Sequence, residues 1–116
     1  MSKLSRTKGK KYERHVSNRL KAMGHKTRRG VQFQGGPDSP DVVGIPGVHI
    51  ECKHMARVNI QAAMRQALAD CGENVPVVFH RSNRGDDLVS LRLDDLPTFL
   101  DKWDASLALA KLNRGE

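Results

Sequence analysis

Cysteine is scarce in this chain: Cys52 and Cys71 form no CxxC pair and offer no disulfide framework. Cys52 falls inside an expected strand, where a lone cysteine acts as a small core hydrophobe. Aromatic residues are only 4% of the sequence against 38% apolar overall, so the core has to be aliphatic. No apolar run approaches the roughly 18 residues that span a membrane. The opening MSKLSRTKGKKYERH has no apolar middle of the secretory kind. An intracellular protein is expected, in cytoplasm or nucleoid, or in a host's cytoplasm if the gene is viral. Acid is nearly missing from the start: residues 1–30 carry eleven Lys or Arg and one carboxylate, Glu13. The remainder carries nine basic and twelve acidic side chains, so the formal +7 belongs to the beginning of the chain.

A basic arm on a slightly acidic body points to a polyanionic partner, most simply nucleic acid. A solvated basic tail is the plain alternative. An anionic membrane fits less well, because KLSRTKGKK has little apolar surface to insert. Lys10, Lys11, Arg14, Arg28 and Arg29 are the expected phosphate contacts, extended by Arg81 and Arg84. Such contacts position DNA without reading its sequence.

At 116 residues a single domain spans the chain. Residues 1–8 are expected to be a disordered basic arm. Between Lys10 and Met23, Tyr12, Val16, Leu20 and Met23 recur at helical spacing, and Gly24 is a natural stop. VQFQ (31–34) alternates as a short strand, and GGPDSP follows as a loop. DVVGI (41–45) and VHIECK (48–53) read as a hairpin turning at Pro46-Gly47. VNIQAAMRQALADCG (58–72) reads as a helix capped by Asn59, with Ile60, Met64, Ala67, Leu68 and Cys71 on one side and Gly72 at its end. VPVVFHR (75–81) is a continuous apolar run suited to a strand covered on both faces, and LVSLRL (88–93) alternates nearer an edge. DLPTFLDKW and ASLALAKL give one or two short helices, a C-terminal extension over 95–116 that either completes the core or forms a dimer seam. The order is α-β-β-β-α-β-β-α, with helix 58–72 as a crossover between parallel strands. That is an α/β fold with a mixed central sheet flanked by helices.

Charge within the hairpin is what this pattern does not explain. Side chains alternate along a strand, so Ile50 and Cys52 share one face while His49, Glu51 and Lys53 share the other. Glu51 and Lys53 then project together, about 6–7 Å apart at roughly 3.3 Å per residue. A hairpin folded about Pro46 sets Asp41 opposite Glu51, with Cβ atoms about 5 Å apart and like charges in opposition. A plain two-residue turn pairs 45 with 48 instead and sends Asp41 and Glu51 to opposite faces. A three-residue loop, a bulge or a distorted strand end restores the match. Two converging carboxylates call for a divalent cation, and Mg²⁺ takes such hard oxygen ligands together with water and phosphate oxygens. It would polarise a phosphodiester and acidify a bound water, with Lys53 holding that water or offsetting charge on the phosphorane. Phosphodiester hydrolysis next to a basic arm is the reading that uses all of these residues.

Pro40-Asp41 followed by Glu51-Cys52-Lys53 resembles the P-D…(D/E)-x-K signature of the PD-(D/E)XK nuclease superfamily, and α-β-β-β-α-β is similar to its restriction-endonuclease-like core. Small size, a glutamate on helix 1 and the triplet Ser39-Pro40-Asp41 most resemble the Holliday junction resolvases of archaeal type and their small phage-encoded relatives. The likeness covers roughly residues 7–93. It implies Asp41 and Glu51 as metal ligands, joined by the Cys52 carbonyl, and Lys53 as the catalytic lysine. It further implies Glu13 at the metal site directly or through water, Gln66 as a functional residue on the helix after the E-x-K strand, and Ser39 near the scissile phosphate. The cofactor implied is Mg²⁺, with Mn²⁺ as a substitute, and no organic cofactor. The partner implied is DNA, branched DNA in particular, with no membrane and with a homodimer to make two symmetric nicks.

Plainer readings stand beside these. E-x-K alone describes a solvated strand face with an ordinary ion pair, and Glu13 or Gln66 can be surface residues. The five histidines 15, 25, 49, 54 and 80 suggest zinc, but neighbours in HIECKH alternate faces and no second ligand pair has zinc-finger spacing. A non-catalytic nucleic-acid-binding protein on a degenerate nuclease fold is the alternative from another class. A general nuclease without junction preference is a third reading, and a basic RNA-associated domain, which leaves the acid pair unexplained, a fourth.

Overall fold

A computed structural model describes residues 3–31 and 40–116, with side chains from Lys8 onward. Helix α1 (Lys3–Ala22) leads into β1 (Arg28–Arg29), β2 (Val42–Val43) and β3 (Val48–Met55). Helix α2 (Ile60–Asp70), β4 (Val75–Ser82), β5 (Leu88–Ser90), a 3₁₀ turn (Leu93–Asp95) and α3 (Leu96–Asn113) complete the order. The strands form one mixed five-stranded sheet in the order β1-β2-β3-β4-β5, antiparallel throughout except for the parallel pair β3–β4. The fold is α/β, and its succession of elements is compatible with an αβββαβ core.

Alternation along the two central strands divides the packing. Val48 and Ile50 on β3, with Val75, Val77 and Phe79 on β4, join Tyr12, Val16 and Leu20 of α1 and Phe99 of α3 in the main core. Val78 faces the other way and packs with Ala63 and Ala67 of α2. Strand β4 is thus covered on both faces, as its uninterrupted apolar run requires. Asn59 caps α2 by accepting from the Ala62 N–H at 3.0 Å, as its sequence position predicts. Cys52 is partly buried against the main core, and both cysteines are free.

Several expectations need correction. Residues 3–8 are helical, part of α1, so the basic arm is the first turns of a helix. Met23 lies past the end of α1 and is 51% exposed, so the apolar stripe stops at Leu20. The first strand is Arg28–Arg29, with Val31 outside it; 32–34 fall outside the described residues. Strands β2 and β5 are shorter than the expected runs 41–45 and 88–93. The C-terminal segment is one continuous helix, and it completes the core through Phe99, Ala110 and the part-buried Trp103. Among the described residues no helix is long and apolar enough to cross a membrane.

The hairpin register combines the two arrangements that the sequence left open. Val48 N–H donates to the Ile45 carbonyl at 3.1 Å, so Pro46-Gly47 is a two-residue turn. Yet Val42 pairs with Ile50, a register centred on residue 46. The arm 42–45 therefore holds one residue more than the arm 48–50, and the surplus is a bulge. Gly44 absorbs it at φ +125°, where a Cβ would overlap the Lys26 carbonyl oxygen and come within 2.6 Å of Thr27 Cα. Gly44→Val is expected to destabilise the protein by about 2–4 kcal/mol, from clash and backbone strain together. Urea unfolding measures this, and a loss under about 1 kcal/mol, the size of an ordinary surface change, would contradict the bulge assignment.

Candidate active site

Centring the hairpin on residue 46 brings Asp41 opposite Glu51. Strand β2 begins at Val42, and the side chain of the preceding residue, Asp41, extends the ladder: its Oδ2 accepts the Cys52 N–H at 2.8 Å. The main chain at this point is held from both sides. Asp41 N–H donates to the Ile50 carbonyl at 2.9 Å, and the Asp41 carbonyl accepts from Gly30 N–H at 2.8 Å. A Cβ on Gly30 would overlap the Pro40 carbonyl oxygen, so only glycine lets β1 approach this closely. The carboxylate thus sits at the end of the ladder, hydrogen-bonded to the β3 backbone.

Asp41 is 7% exposed and Glu51 5%, and the two carboxyls hydrogen-bond to each other. Burial, followed by the Glu51 charge, pushes the Asp41 carboxyl from 3.8 up to about 7, against the lowering effect of the Cys52 N–H. The Glu13 charge adds to the rise, which brings the helix-1 glutamate within electrostatic reach of the pair. Its Oε1, however, is held by Arg29 Nε at 3.0 Å. The Cys52 thiol is pushed far up by burial and then by the charges of Asp41, Glu13 and Glu51. That disfavours the thiolate, so what the residue offers the site is main chain: the N–H that holds Asp41 Oδ2, and its carbonyl.

Lys53 follows Glu51 on the same face of β3 and points to α2, where Nζ donates to Gln66 Oε1 at 3.0 Å. Gln66 and Lys53 were expected in one site, and the structure brings them into contact. Ser39 lies outside the described residues. Lys10, Lys11, Arg14 and Arg28 are exposed on α1 and β1. Arg29 is engaged by Glu13, Arg81 is half-buried and donates Nε to the Gly85 carbonyl at 2.9 Å, and Arg84 is exposed.

Two features went unread in the sequence. His49 is 2% exposed with Nε2 2.8 Å from Glu51 Oε1, a pairing legible only in the i, i+2 parity that had already grouped them. The second is Asp87, which ties the β4–β5 loop to α1. It accepts from Tyr12 Oη at 3.2 Å, pairs with His15 Nε2 at 2.6 Å and lies 3.5 Å from Arg19 Nη1. Lys8 adds a bond to Asn83 at 3.1 Å. Burial raises the Asp87 carboxyl, but the His15 and Tyr12 bonds outweigh it and hold it below 3.8. His15, Arg19, Arg81, Gly85, Asp86 and Asp87 line an open cleft of about 380 Å³ here, separate from the paired carboxylates. Asp87→Ala is expected to cost about 1–3 kcal/mol in urea unfolding, because three donors on α1 lose their acceptor together. The other histidines disperse: His25 to Ser106 Oγ, His80 to Ser90 Oγ and His54 against the Tyr12 ring.

Among the described residues, no group of three or more His, Cys, Asp and Glu side chains is gathered to hold a metal ion by itself. Two carboxylates and a main-chain carbonyl are still a donor set that suits Mg²⁺, which keeps water and substrate oxygens in its remaining positions. The raised proton affinity of Asp41 beside Glu51 marks a place where positive charge is favoured. No family model, no curated protein and no solved structure matches the chain.

Proposed function

We propose that this protein is a divalent-metal-dependent endonuclease that hydrolyses DNA phosphodiesters. The observation that carries the reading is the joining of two opposed buried carboxylates, Asp41 and Glu51, to a lysine–glutamine pair, Lys53–Gln66, on adjacent elements. Asp41, Glu51 and the Cys52 carbonyl would hold Mg²⁺, which when bound supplies Lewis acidity and an acidified water. Lys53 contributes a compact ammonium that orients water or offsets charge developing on the phosphate. Gln66 fixes where that ammonium lies. Exposed Lys10, Lys11, Arg14 and Arg28 bind the DNA backbone beside the site, with affinity that falls steeply with salt. The substrate shape proposed is branched DNA such as a four-way junction, cut by a homodimer.

Duplex, single-stranded, nicked, flapped and four-way DNA incubated with Mg²⁺ and with Mn²⁺ test this, with Lys53→Ala as control. Cleavage of the junction alone supports the full proposal. Equal cleavage of all forms leaves a general nuclease. No cleavage of any form, with salt-dependent binding retained, favours a non-catalytic nucleic-acid-binding protein. The lack of a ready three-side-chain metal group among the described residues is the observation on that second reading's side.

A further inference from the structure

The geometry points to His49 as a positioning residue that fixes the Glu51 carboxylate for a divalent cation; this rests on the nuclease reading of the same site. A glutamate's terminal torsion is soft, so the carboxylate of a strand residue rotates broadly unless something holds it. His49 stands two residues before Glu51 on β3, and the strand's alternation puts both side chains on one face. The imidazole Nε2 reaches Glu51 Oε1 at 2.8 Å, with side-chain exposures of 2% and 6%. A carboxylate only accepts, so the ring nitrogen facing it carries the hydrogen and donates. That bond occupies one named oxygen, Oε1, and leaves Oε2 for a cation.

Burial makes the arrangement expensive to break. Glu51 would otherwise be a carboxylate out of water with another acid, Asp41, as its hydrogen-bonding neighbour. A donor at Oε1 lets Glu51 stay in place beside that acid. Outer groups of this kind orient ligands and tune their basicity, and their loss weakens metal binding by about 10–100-fold. Nothing in this role requires His49 to touch the cation, the water or the phosphate.

Mn²⁺ titration of the full chain, followed by the electron paramagnetic resonance of free Mn²⁺, is the test, alongside the Mg²⁺ dependence of DNA cleavage. His49→Leu is expected to raise the Mn²⁺ dissociation constant by about 10–100-fold. Its cleavage at saturating Mg²⁺ should stay close to wild type, so the loss appears in half-saturation rather than in the plateau. His49→Gln should restore affinity, since its amide nitrogen lies where Nε2 does. His49→Asn, polar but too short to reach Oε1, should behave like His49→Leu and serves if the leucine variant does not fold. Wild type that binds Mn²⁺ while His49→Leu or His49→Asn binds it equally well overturns the positioning role alone. Wild type that binds no Mn²⁺ and cuts no DNA overturns the nuclease reading and this inference with it.

Discussion

Asp41→Asn is expected to make the metal-free protein more stable at pH 8 and to remove its ability to cut DNA. The first half follows from burial. The Asp41 carboxyl is raised from 3.8 to about 7, chiefly by desolvation and then by Glu51, so between those values the folded protein binds a proton that the unfolded chain releases. Stability therefore falls as pH rises through that window, and by pH 8 the loss is complete. At about 1.4 kcal/mol per unit the loss is on the order of 4 kcal/mol. Asparagine keeps an oxygen for the Cys52 N–H and offers Glu51 an N–H at every pH. Urea unfolding of the variant without metal should be nearly flat from pH 5 to 8 where the wild type declines. Mg²⁺ should then stabilise the wild type at pH 8 and leave the variant unmoved, because only the folded wild type binds it. Cleavage should drop by at least about 10³-fold with DNA affinity retained, as expected when charge stabilisation at the reacting centre is lost. A wild type whose stability is level across this range would contradict the buried acid pair. Full cleavage by the variant would contradict the nuclease reading.

How far this could be read beforehand depended on whether a residue's role was set by neighbours in sequence or by distant ones. Tyr12, Val16 and Leu20 at helical spacing, Asn59 before an apolar helix and the unbroken run at Val75 are local patterns, and each took the expected place. Glu51, Lys53 and Gln66 were grouped by strand parity and by the resemblance, and Lys53 and Gln66 meet. The hairpin register lay beyond local reasoning, because Gly44, which absorbs the extra residue, lies against the distant Lys26–Thr27 backbone. Nor does a sequence show that Asp41 will lie at a strand end and bond to the Cys52 N–H. The Arg29–Glu13 and Asp87 networks were equally hidden, since their partners are 16 and about 70 residues apart. The acceptors that engage Arg29 and Arg81, the Glu13 carboxylate and the Gly85 carbonyl, are likewise supplied only by folding.

Lys53→Ala and Gln66→Ala should show that these two residues act as a unit. Lys53 Nζ is held by Gln66 Oε1 at 3.0 Å across the β3–α2 boundary, so the ammonium's position depends on the amide. Lys53→Ala is expected to lower cleavage by about 10²–10³-fold, the usual cost of deleting one preorganised charge-stabilising donor. Mn²⁺ binding and DNA affinity should be unchanged, because the carboxylates and the basic helix remain. Lys53→Arg should not restore the rate: a planar, weakly hydrated guanidinium cannot replace a compact ammonium with three rotatable donors. Gln66→Ala leaves the lysine charged but unheld, and misplacement by about 1 Å is enough to cost up to about 10²-fold. The double variant should then be no slower than Lys53→Ala alone, a coupling as large as the Gln66 effect itself. If the two losses multiply instead, Gln66 acts on the substrate in its own right and not through Lys53. If Lys53→Ala cuts at the wild-type rate, the E-x-K lysine is a solvated strand residue and the chemistry assigned to this face of β3 is wrong.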